Sequence, residues 1–60
     1  MTAFQIYKIF IDNNPEMIRE VEKYKEINGK PNSIKLYLSN NREAVFTVNR
    51  GKLDLVIEYK

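Results

Sequence analysis

From residue 34 onward the chain repeats with a period of two. Ile34, Leu36 and Leu38 alternate with Lys35, Tyr37 and Ser39. Ala44, Phe46 and Val48 alternate with Glu43, Val45, Thr47 and Asn49, and Leu53, Leu55, Ile57 and Tyr59 alternate with Asp54, Val56 and Glu58. Successive side chains of a strand point to opposite faces, so each run has one face to bury and one to leave open. The breaks between runs carry turn chemistry: Asn40-Asn41 tolerates positive φ, and Asn49-Arg50-Gly51-Lys52 contains a glycine. A three-stranded antiparallel meander is therefore expected, with Lys35, Tyr37, Val45, Thr47, Val56 and Glu58 on its outer face. Its other face needs cover.

The cover expected from the sequence is a helix between Asn14 and Asn28. Asn14 can accept from free backbone amides, Pro15 suits a first helical position, and Glu16 complements the positive end of the helix dipole. Gly29 can close a helix in the left-handed conformation, and Pro31 stops continuation. Met17, Ile18, Val21, Tyr24 and Ile27 fall on one side at helical spacing.

Residues 4–11, Phe-Gln-Ile-Tyr-Lys-Ile-Phe-Ile, are rich in β-branched and aromatic types and read as a strand, although Thr2 and Gln5 also have the spacing of a helix capping box. As a strand this segment is apolar on both sides, Phe4, Ile6 and Phe10 facing one way and Tyr7, Ile9 and Ile11 the other, so it would be either central in the sheet or set with its Tyr7, Ile9 and Ile11 side against a second copy. The expected fold class is α+β, in the order β-α-β-β-β, with α-α-β-β-β as the alternative. Residues 1–60 form one domain, with no repeat or linker.

Size sharpens the expectation of self-association. A 60-residue chain buries only about 60% of the surface its unfolded form exposes. Disulfides and structural zinc are the usual remedies, and this chain has no Cys and no His. A partner subunit remains, and a homodimer is expected. No apolar run approaches the roughly 20 residues of a membrane span and no signal-like start is present, so a cytoplasmic protein is the default.

Catalysis is not expected. A nucleophilic triad most often needs His as its base, Ser33 and Ser39 read as turn and strand-end residues, and Glu16, Glu20, Glu22 and Glu26 interleave with Arg19, Lys23 and Lys25 as a solvated face does. Gly29 and Gly51 are isolated, so no phosphate loop is present. No cofactor, metal or small-molecule substrate is expected.

What remains is binding. The outer sheet residues Tyr37, Val45, Thr47 and Val56 are the candidate surface for a larger protein. Small size and expected self-association suit an inhibitor or regulator that acts by occluding a surface, the style of many compact phage and mobile-element proteins. An ordinary half-polar sheet face is the bland alternative. The second functional class is nucleic-acid binding: residues 30–52 hold Lys30, Lys35, Arg42, Arg50 and Lys52 against Glu43 alone, and Lys30, Lys35, Arg50 and Lys52 would gather near one end of the meander. Tyr37 could stack on a base. A formal net charge of only +2 argues against it.

Overall fold

The computed structural model describes residues 1–59, and the side chains of residues 1–57. Helix α1 spans Ala3–Asn13, a single 3-10 turn covers Pro15–Arg19, and four strands follow: β1 Val21–Ile27, β2 Lys30–Leu38, β3 Arg42–Asn49 and β4 Lys52–Tyr59. The strands form one antiparallel sheet in chain order, β1-β2-β3-β4, with α1 packed on one face. The class is α+β.

The meander from β2 to β4 follows the period-two reading, and its turns have the expected chemistry. Asn40 and Asn41 sit at φ 61° and 60°, and Arg50 and Gly51 at 51° and 82°. Two successive left-handed residues match the right-handed twist of the flanking strands, which is why such pairs join hairpins.

The first half departs from expectation twice. The segment expected as a strand is helix α1, and the segment expected as a helix is a 3-10 turn followed by β1. At the N-terminus the capping box decides: Gln5 N–H donates to Thr2 Oγ1 at 3.2 Å, and Thr2 N–H donates to Gln5 Oε1 at 2.9 Å. Local β preference is weak against this, because a β scale reflects packing on a pleated surface more than backbone preference.

Asn14 ends a helix where it was expected to begin one. Its backbone N–H reaches the Phe10 and Ile11 carbonyls, its side-chain amide donates to Phe10 O at 3.1 Å, and that of Asn13 donates to Ile9 O at 2.8 Å. Pro15 bars α geometry at the residue before it, and Asn14 lies at φ −139°, ψ 64°. Asn28-Gly29 in turn closes the β1-β2 hairpin, with Ile27 paired to Lys30 and Gly29 at φ 79°.

The core is one layer between helix and sheet: Ile6 and Phe10 from α1; Ile34, Leu36 and Leu38 from β2; Ala44, Phe46 and Val48 from β3. Phe10 meets Phe46 edge-on, with ring centroids 5.1 Å apart, and Tyr7 stacks on Tyr24 of β1 at 4.3 Å. Among the described residues α1 contacts β1, β2 and β3 but not β4. The helix therefore covers three strands of four.

Candidate functional site

The sheet face turned away from α1 has no layer over it among the described residues, and it is where the outer residues of the alternating strands collect. Tyr37 stands opposite Lys23 of β1 and Glu43 of β3; Val45 lies between Lys35 and Val56; Thr47 lies between Ser33 and Asp54. The structure thus brings Tyr37, Val45, Thr47 and Val56 onto one face. Val56 is 51% exposed, while Tyr37, Val45 and Thr47 are half-buried by their neighbours. Thr47 and Ser33 pair their hydroxyls at 2.8 Å, so each is satisfied within the face.

Tyr37 is the centre of this surface. The ammonium groups of Lys23, Lys25 and Lys35 lie 4.9, 5.6 and 5.7 Å from its ring centroid, within the range where a cation is attracted by the ring's negative face. Lys35 also contacts the buried Glu43, Nζ to Oε1 at 2.7 Å. A carboxylate removed from water is costly without a close cation, so this contact holds Lys35 in place and makes Glu43 a fixed part of the floor. Lys23 and Lys25 form no ion pair among the described residues. Beside Tyr37 the face opens into a hollow of about 420 Å³ lined by Glu22, Lys23, Tyr37, Leu38, Asn41, Arg42 and Glu43.

One end of the hollow is tied down. Ser39 Oγ donates to Glu20 Oε2, Arg42 Nη2 reaches the same oxygen at 3.0 Å, Arg42 Nε donates to the Ser39 carbonyl at 3.1 Å, and Ser39 N–H donates to the Glu20 carbonyl at 2.9 Å. These bonds clip the segment before β1 to the β2-β3 turn, which fixes how β1 brings Lys23 and Lys25 alongside Tyr37.

Of the four basic residues read from the sequence as one cluster, Lys30, Arg50 and Lys52 are exposed in or beside the two turns at one end of the sheet, residues 28–29 and 50–51. Lys35 is on the outer face and engaged with Glu43. Tyr7, Ile9 and Ile11 are on α1, half-buried and packed against the core. Their expected role at a dimer interface rested on a strand with two apolar sides, and a helix has turned them inward instead.

Lys23 and Lys25 escaped the sequence reading because their segment was taken as a helix. The signal that could have found them is Asn28-Gly29, a two-residue hairpin turn, which places residues 21–27 beside β2 and Lys23 beside Tyr37. No metal-binding group of three or more His, Cys, Asp or Glu occurs among the described residues, and no helix among them is long and apolar enough to cross a membrane. Comparison with protein-family models, with curated proteins and with solved structures finds no match.

Proposed function

We propose that this chain is a non-catalytic protein-binding module, an inhibitor or regulator that works as a homodimer in the cytoplasm by occluding a surface of a larger protein. The observation that supports it is the open sheet face centred on Tyr37, where an aromatic ring, three lysines and a hollow lie side by side without a covering layer. The complementary partner is an acidic protein surface that presents an apolar or aromatic side chain to the hollow. Aromatic anchors in partly formed pockets are typical centres of binding energy. Lys23 and Lys25 supply the steering charge.

The cluster around Tyr37 also favours a second reading, in which it stacks a single-stranded base while the lysines meet phosphates. The same face carries Glu22 and Glu43 at the hollow and Asp54 on β4, which would repel a phosphate backbone. Protein is the better fit, since a protein surface can match both signs.

The test is capture with immobilised wild-type protein beside Tyr37→Ala/Val45→Lys, with circular dichroism to show that the variant keeps its fold. A partner held by the wild type and lost by the variant is the expected result; equal capture by both would overturn the site. Mobility shift against short DNA and RNA at 50 and 200 mM salt separates the readings, since phosphate contacts lose affinity steeply across that range.

A further inference from the structure

Strand β4 has an apolar row that, among the described residues, no helix covers. Leu53, Leu55 and Ile57 are in register with the buried Val48, Phe46 and Ala44, so they point to the helix side of the sheet, yet they are 43%, 37% and 38% exposed. The cause is the position of α1, drawn toward β1 by the Tyr7–Tyr24 stack and, among the described residues, lacking contact with β4. The molecule exposes 4484 Å² in all, where a folded monomer of 7.1 kDa exposes about 4,100 Å² by the usual scaling. The excess is on the order of 400 Å², half of the roughly 800 Å² that each partner gives to a standard interface.

The same strand is an edge with free backbone groups. A two-residue turn at Arg50-Gly51 is closed by the hydrogen-bonded pair Asn49 and Lys52, and the pairing then continues without a bulge through eight positions. Lys52, Asp54 and Val56 therefore spend their backbone groups on β3. Those of Leu53, Leu55 and Ile57 point outward, and no proline or glycine interrupts them.

We propose that a second copy of this chain covers this flank by antiparallel β4–β4 pairing about a two-fold axis at Leu55, which joins two sheets into one of eight strands. This interface deepens the homodimer part of the proposed function. In this register Leu55 faces its own counterpart with outward backbone groups on both sides, Leu53 faces Ile57, and Lys52 faces position 58, a glutamate in the sequence. Moving the axis to Asp54 instead sets Asp54 against its own counterpart, two like charges face to face. Charge selects the first register. The two helices then lie on the same side of the joined sheet, with six apolar side chains filling the gap between them.

Light scattering at hundreds of micromolar is expected to give twice the chain mass, and hydrogen exchange is expected to show protected amides at Leu53, Leu55 and Ile57. Leu55→Lys places two like charges on the axis and should raise the dissociation constant at least tenfold, since like charges in an interface cost several kcal/mol. Lys52→Glu and Glu58→Lys should each weaken the dimer, and the double variant should restore it. That rescue decides the matter if Leu55→Lys fails to fold. A wild-type monomer, unprotected β4 amides, or single charge variants that dimerise as well as the wild type would overturn the proposal. Partner capture by Tyr37 persisting in a monomeric protein would show that only the dimer had failed.

Discussion

Strands β1 and β4 occupy the two edges of the same sheet and meet opposite treatment. β1 carries Glu22, Lys23, Lys25 and Glu26 among seven residues, breaks its register with β2 twice, and has the helix against its inner side through Tyr24. β4 runs unbroken beside β3, presents Leu53, Leu55 and Ile57 on one face and Val56 on the other, and has no helix contact among the described residues. Charge, irregularity and cover are the usual ways of protecting an edge from stray pairing. β1 has all three; β4 keeps charge at Lys52 and Asp54 but has neither irregularity nor, among the described residues, cover. The lesson is that the protein closes one side of its sheet and leaves the other available.

The sharpest way to break this comparison is through burial. Phe10→Ala, under the helix, should lower stability by about 3–5 kcal/mol in chemical denaturation, the range for a large buried aromatic. Leu55→Ala, measured at nanomolar concentration where a dimer would be dissociated, should cost under about 2 kcal/mol, below the usual core range, because the side chain is already 37% exposed. Equal losses at the two sites would mean that β4 is covered within a single chain.

The two hairpins that lead to the edges give a smaller effect. Gly29 and Gly51 both hold left-handed φ, and neither has a neighbour where a Cβ would sit, so alanine at either position meets backbone strain alone. Each should cost about 1–2 kcal/mol by equilibrium unfolding. A markedly larger loss at Gly29 would show that the β1 edge depends more strictly on its turn.

Next comes the stack that draws α1 toward β1. A double-mutant cycle with Tyr7→Ala and Tyr24→Ala should give a coupling of about 0.5–1.5 kcal/mol, the range for a paired aromatic contact. Zero coupling would remove the stated reason for the helix's offset. The smallest effect is expected at the clip beside β1, where Glu20 and Arg42 side chains are 42% and 28% exposed. Their cycle should yield about 0.2–1 kcal/mol and decline with added salt.

How far the residues could be read without coordinates follows the same division between halves. In β2 to β4 the period of two and the turn pairs agree, and the strand residues described between 34 and 57 sit on the face their position implies. In residues 1–28 local signals conflict. Thr2-Gln5 favours a helix where the β-branched residues favour a strand, and Asn28-Gly29 serves equally as a helix end or a hairpin turn. The apolar positions 18, 21, 24 and 27 fit a helical stripe, and the surrounding Glu and Lys residues are good helix formers, which hid a strand from any local argument. The candidate site was half legible for this reason. Tyr37, Val45, Thr47 and Val56 were visible by alternation, while Lys23 and Lys25 became visible only when β1 was laid beside β2.

The amino-acid order alone determined the meander, its hairpins, the division of its faces and a core too small to be generous, because those rest on alternation, turn propensity and length. Tertiary structure settled the conflict between the Thr2-Gln5 cap and the β-branched run in favour of the cap, since one ambiguous segment must supply a fourth strand and the other must cover it. It also decided where that cover stopped. An eleven-residue helix spans three strands, and the fourth is left with a greasy row that no local pattern in the chain foretells.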